Sequence, residues 1–232
     1  MRFWKSFPQN LLEEARTLRS PALPAGIFLV ATLSLIVCRD KRLSSLIQPE
    51  LQSLSALLHV GPDCLHSFFA LFLLPLSFLL LVRENPKRYG LCLGKWKLAI
   101  PIFFFLCAGL TLLGFLVGNM SSFQSSYGPS PKNLSDSLFL LLTYVVYMWS
   151  WEFFNRGFLL LGLKKYLGVY SVYVQLLPFV ILHLGKPPFE LYGSVLFGLF
   201  FGFYAYLVDS FIYGAIAHAY FAFVIRLFIG SG

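Results

Sequence analysis

Trp151-Glu152-Phe153-Phe154-Asn155-Arg156-Gly157 lies inside the apolar run 137–163, yet it carries a carboxylate and a guanidinium four residues apart. Four residues make about one helical turn, so both side chains leave the same face of a helix. A charged side chain at the centre of a bilayer costs about 2.5–3.5 kcal/mol on insertion scales. A lipid-facing surface does not carry that cost, so the pair is expected to face a protein interior or a wet cavity. Two downstream residues, His183 and His218, are expected to meet it there.

The rest of the chain fits a membrane setting. Of its 232 residues, 58% are hydrophobic, 18% aromatic and 12% charged. A soluble chain carries about 25% charged residues. Apolar runs recur at 23–38, 64–82, 98–117, 137–163, 169–184, 190–208 and 211–229, several of them near the ~20 residues that a spanning helix needs. The expected fold is all-α: one polytopic transmembrane bundle of about seven spanning helices, between six and eight, around an intramembrane polar cavity. No repeat or linker divides the chain, so residues 1–232 read as a single integral membrane domain.

The net charge of +8 does not point to nucleic acid, because the basic residues sit between the apolar runs rather than on a soluble face. They set an orientation instead. Loop 83–97 holds Arg83, Lys87, Arg88, Lys95 and Lys97 against Glu84 alone, and Lys164-Lys165 ends the fourth run. Placed in the cytoplasm, these put the N-terminus inside and the Ser/Pro-rich loop 118–136 outside. Arg2, Lys5, Arg16 and Arg19 agree, whereas Arg39, Lys41 and Arg42 disagree. The expected location is a bacterial inner (cytoplasmic) membrane. Residues 1–20 read as a cytoplasmic or interfacial lead, with Leu11, Leu12, Ala15 and Leu18 at helical spacing. Leu46, Ile47, Leu51, Leu54, Leu57 and Leu58 suggest an amphipathic surface helix stopped by Gly61-Pro62.

Cys38, Cys64, Cys92 and Cys107 show no CxxC spacing and read as small apolar fillers. Gly198 and Gly202 form a GxxxG pair, and Gly214, Ala215, Ala219 and Ala222 are also small, so spans six and seven are expected to pack closely. His59 and His66 are expected at a membrane edge as ordinary surface histidines.

The intramembrane polar residues carry the chemistry. Glu152 and Arg156 either neutralise each other as a structural pair or make Glu152 a base oriented by Arg156. His218 is well inside its span and His183 is near the end of its own. Two histidines and a carboxylate on three helices suffice to hold and activate a water, or to bind a divalent metal such as zinc through three ligands. No HExxH spacing is present. Lys186 and Glu190 flank the Pro187-Pro188 turn. Glu190 reads as a helix-start carboxylate or, seven residues after His183, as a further member of the cavity.

On these residues the chain resembles the CAAX protease and bacteriocin-processing family of intramembrane endopeptidases, the type II CaaX prenyl endopeptidases among them. The family's Glu-Glu-x-x-x-Arg motif, often continued Gly-Phe-Leu, matches Trp151-Glu152-Phe153-Phe154-Asn155-Arg156-Gly157-Phe158-Leu159. Its Phe-x-x-x-His motif matches Phe179 to His183, and its last histidine matches His218. The similarity spans 139–228 as a catalytic core. It implies a cavity in which glutamate and histidine activate a water against a peptide bond of a membrane-presented protein or peptide. The chain departs from the pattern twice: Trp151 stands where the family has its water-activating glutamate, and Ala222 where many members have asparagine. A divergent endopeptidase using Glu152, His183 and His218, with Arg156 and Glu190 beside them, is the first reading. An inactive relative that binds or scaffolds a membrane partner is the second, and a small-molecule transporter the third. Counted along straight helices, Glu152 falls in the inner half of its span and His183 at the outer end of span five. The site therefore needs different span edges, or a span five tilted or interrupted near Pro178.

Overall fold

The computed structural model describes residues 22–40, 42, 45, 52, 62–127 and 130–229. The lead at 1–20, the apolar residues of the 46–58 segment and His59 lie outside the described residues. Helix α1 is Ala22–Arg39. Helix α2 runs through Pro62–Phe68, a π-helical turn Phe69–Leu73, and Leu74–Leu81. A 3₁₀ turn, Pro86–Tyr89, leads to α3, Trp96–Gly118, and the short α4, Ser121–Ser126. Helix α5 comprises Leu134–Glu152, a π-helical stretch Phe153–Leu161, and Gly162–Leu167. Then come α6 (Tyr170–Leu182), α7 (Pro188–Val208) and α8 (Ile212–Phe228). No strand occurs among the described residues.

Helices α1, α2, α3, α5 and α7 are long and apolar enough to cross a membrane, and α6 and α8 are shorter apolar helices. The chain is an integral membrane protein built as a polytopic helical bundle. Large apolar side chains such as Phe104, Phe105 and Leu196 point outward, 68%, 85% and 72% exposed. In lipid such exposure costs nothing, and helices associate through close packing and polar contacts rather than by expelling water.

The packing centre is the π-helical stretch of α5, all nine residues of which are buried. Phe153, Phe154, Phe158 and Leu159 meet Ile27 of α1, Leu71 and Leu79 of α2, Tyr89 and Phe211. A π stretch widens the turn and leaves a helix's usual i→i−4 ladder, which is rare and frequent near functional sites. Asn155 Nδ2 donates to the Trp151 carbonyl at 2.8 Å, which satisfies one acceptor where the ladder changes. In α2 the π turn ends two residues before Pro75, whose missing N–H and ring disturb the same ladder.

Helices α5 to α8 form an up-and-down set with short turns at alternate ends. Where α7 turns into α8, Asp209 adopts the left-handed region at φ 57°. Its carboxylate takes Lys164 Nζ at 2.5 Å and Lys95 Nζ at 2.8 Å, so α5, the 83–97 loop and α7 are tied at one end.

Gly198 and Gly202 do make a close helix contact, and the helix they meet is α6. A Cβ at Gly198 would meet Leu176 at 2.5 Å and Phe179 at 2.9 Å, and one at Gly202 would meet Gln175 at 2.8 Å, so the GxxxG face lies against α6. Gln175 Nε2 then donates to the Gly198 carbonyl at 3.0 Å, a contact only a glycine surface permits. His66, expected at the surface, is buried, with Nε2 2.9 Å from the Val37 carbonyl of α1.

Candidate functional site

The depth mismatch between Glu152 and His183 disappears because α6 is a short helix of 13 residues. At 1.5 Å per residue it rises about 20 Å from the Gly168 turn, which returns His183 to the level of the middle of α5. Trp151 and His183 meet edge to face with ring centroids 5.2 Å apart. The helix is not broken at Pro178, since α6 continues through that residue.

His218 arrives from the other side. Its Nδ1 is 2.8 Å from Glu152 Oε1, and Arg156 Nη1 is 3.2 Å from the same oxygen. Glu152 and Arg156 are fully buried, His183 nearly so. The Arg156 guanidinium carbon stands 3.9 Å from the Phe179 ring centroid, so the Phe of the Phe-x-x-x-His motif screens the cation by a cation–π contact. Phe179 and His183 are themselves 4.5 Å apart, and Phe201 of α7 stacks on His218 at 5.8 Å. Glu152 Oε2 has no hydrogen-bond partner and lies 3.4 Å from where a Cβ on Gly214 would be.

The hydrogen bonds fix the histidine tautomers. His183 Nδ1 is 2.7 Å from the Phe179 carbonyl, which can only accept, so Nδ1 carries the proton. Beside an ionised Glu152 the same holds for His218 Nδ1. Each ring therefore keeps an Nε2 lone pair, and both rings line one cavity of about 100 Å³, room for several waters.

Glu152 does not line that cavity; Trp151 does. Adjacent helical positions diverge by about 100°, so the side chain that matches the family's base position is the indole, and Glu152 stands behind His218. As a base it reaches the cavity only through that imidazole. Ala222, at the other departing position, also lines the cavity.

Glu190 is on the cavity wall, away from Glu152. The Tyr127 hydroxyl donates to its Oε2 at 2.5 Å, and Lys186 Nζ donates to the Tyr127 oxygen at 3.3 Å. Glu190 precedes Phe201 by 11 residues, about 16 Å along α7, so the structure does not join it to the Glu152–His218 pair. Tyr127, Tyr144 and Arg226 also line this half of the cavity. Sequence reading missed all three. Arg226 alone carried a signal, as a cation inside an apolar helix; Tyr127 sits in a loop 63 residues from its partner.

Among the described residues no three His, Cys, Asp or Glu side chains gather as a metal site. Glu152 Oε1 is engaged by His218 and Arg156, which leaves two imidazole nitrogens at the cavity. That set does not fit a three-ligand zinc site.

No curated protein and no solved structure matches the chain at a significant level. Residues 133–224 do match the family model described as Rce1-like, type II CAAX prenyl endopeptidase. That stretch contains α5 to most of α8 and all three motifs, and the match is consistent with the CAAX protease and bacteriocin-processing family.

Proposed function

We propose that the protein is an intramembrane endopeptidase in which Glu152 acts through His218. The supporting observation is the 2.8 Å bond from His218 Nδ1 to Glu152 Oε1, with His183 and His218 on the wall of one water-sized cavity. A water held between the two Nε2 lone pairs gives a proton to His218 as it attacks the scissile carbonyl. Glu152 stabilises the imidazolium, and His218 then returns the proton to the leaving amine. His183 orients the water. Arg156 holds the carboxylate, and its charge offsets that of Glu152 in the dry interior. Residues 139–228 form the catalytic core in this reading, within one domain spanning the chain. The substrate is a protein or peptide presented from the bilayer.

Basic loops at 83–97 and 164–165 support a cytoplasmic N-terminus in a bacterial inner membrane. Since no metal is required by this side-chain set, chelators should leave cleavage unchanged; loss of cleavage on chelation with recovery on added zinc would restore the metal alternative.

Membranes holding wild type, Glu152→Gln, His183→Ala or His218→Ala are compared by mass spectrometry of protein termini. A set of new termini present with wild type and absent from all three variants is the expected result. Unchanged termini throughout, with the variants folded, favour the second reading, an inactive relative. Trp151 and Ala222 on the cavity wall are the observation behind that alternative.

A further inference from the structure

The histidines stand in a cavity of about 100 Å³, whereas sites that take drug-sized ligands run to about 300–1,000 Å³. A peptide bond reaches His183 and His218 only if one wall gives way. The helical walls are packed too closely to be that wall. A Cβ at Gly118 of α3 would meet the Ile225 carbonyl of α8 at 3.0 Å, and Gly198 of α7 is as tight against α6. Residues 119–127 make a different kind of wall. Ser121, Gln124, Ser125 and Ser126 of α4 are exposed, and a helix of six residues is far below the ~12–15 at which an isolated helix becomes even marginal. The bonds inside the segment are local. Asn119 Nδ2 donates to the Phe115 carbonyl, and the Ser125 and Ser126 hydroxyls donate to that of Ser122. Among the described residues, one hydroxyl carries every hydrogen bond that leaves the segment for another part of the bundle. Tyr127 donates to Glu190 Oε2 at 2.5 Å and accepts from Lys186 Nζ at 3.3 Å.

We infer that residues 119–127 are a lid on the histidine cavity, plugged by two aromatic rings and latched by the Tyr127 hydroxyl between Glu190 and Lys186. The inference rests on the endopeptidase reading above, and it makes Glu190 the acceptor of a latch rather than a group of the reaction. The plug is Phe123 and Tyr127, stacked with centroids 5.9 Å apart and both on the cavity wall. Lys186 reinforces the latch, with its Nζ 5.1 Å from the Tyr127 ring centroid. The frame around the lid is fixed. Gly118 holds the end of α3 on α8, and beyond the lid the Ser130 hydroxyl donates to the Ile229 carbonyl at 2.6 Å. A segment with exposed polar residues, local bonds and one outside anchor is the part of a fold that opens at the lowest cost, and lids of this kind admit substrate and then exclude water.

The test places a thiol on the cavity wall by Ala222→Cys in the full-length protein. The purified protein is pulsed with a water-soluble methanethiosulfonate reagent, and labelled peptides are quantified by mass spectrometry. Two native cysteines serve as gauges: half-buried Cys92 reports reagent activity and buried Cys64 reports unfolding. Adding Tyr127→Phe removes only the hydroxyl. Labelling at position 222 should then rise about tenfold, the effect on an opening equilibrium of losing one hydrogen bond to a charged group, while Cys92 and Cys64 keep their rates. Glu190→Gln, which keeps an acceptor but removes its charge, should give a smaller rise in the same direction. A parallel rise at Cys64 in both variants would mean that the latch holds the whole fold, and would overturn the lid. So would an unchanged rate at position 222 in both, or a rise seen only when Phe197→Ala opens the α3–α7 side. Labelling needs no turnover. A lid that opens in a protein without cleavage defeats the endopeptidase reading alone, and cleavage by a protein whose labelling ignores the latch defeats the lid alone.

Discussion

A carboxylate sealed behind a histidine has a different mutational signature from one that touches substrate. Glu152→Gln keeps the side chain's shape but lets an amide face His218, so the imidazole loses the partner that fixes its tautomer and stabilises its charged form. Cleavage should fall about 10²–10⁴-fold, mainly in kcat, which steady-state assays on the identified substrate will check. Glu152→Ala adds a structural loss, because Arg156 is left as a buried cation without its carboxylate. Removing one member of a buried pair costs about 3–5 kcal/mol, whereas replacing both with apolar residues is often close to neutral. Glu152→Ala should therefore unfold at clearly lower denaturant concentration than the Glu152→Leu/Arg156→Leu double variant, even though both are inactive. The reverse order would mean that the pair does not share one buried charge balance. At Trp151 the expected gain is in activity. Trp151→Glu places a carboxylate on the cavity wall where the family pattern has one, and should raise cleavage above wild type. A drop would show that the indole's contact with His183 is required.

At the scale of elements, the π-helical stretch of α5 is the feature with the least tolerance. A Cβ at Gly157 would meet the Tyr89 carbonyl at 2.8 Å and Phe153 at 2.9 Å, with Phe211 at 3.3 Å. Gly157→Ala should destabilise the protein by about 1–3 kcal/mol, the usual cost of overpacking, read as a lower unfolding midpoint in detergent. Because Gly157 follows Arg156 directly, the same variant should lose activity in excess of its loss of stability. The length of α6 is the second element-scale determinant. Its 13 residues lift His183 only to the middle of α5, which is where Trp151 and Glu152 already are.

Across the whole molecule, one end of the bundle is held by charges outside the membrane-spanning segments. Burial pushes the Asp209 carboxyl up, but hydrogen bonds and charges from Lys164 and Lys95 outweigh it, and its value lies below the ordinary carboxylate range. A lowered folded value means that the unfolded chain binds the proton more tightly. The stabilisation is thus complete above the unfolded value, about 3.9, and is lost as pH falls through the lowered folded value. Thermal unfolding of wild type should weaken over that acid window by more than unfolding of Asp209→Asn, which should have a lower midpoint near neutral pH. Identical pH dependence of the two proteins would remove Asp209 from the clamp.

The sequence by itself determined the class of the molecule: apolar runs of spanning length, a Glu–Arg pair one turn apart inside one of them, and histidines in two others leave a helical membrane bundle with a polar interior. It also placed Trp151 and Glu152 on different sides of their helix, since adjacent positions cannot share a face. Tertiary structure decided the rest. Whether His183 stands deep or shallow depends on where α6 begins and ends, and apolar residues of a membrane helix have no boundary that periodicity can read. Gly198 and Gly202 announced a close helix contact, but which neighbour fills it depends on how α6, α7 and α8 are arranged. Tyr127 reached Glu190 across 63 residues, a pairing that chain folding creates and no local spacing encodes.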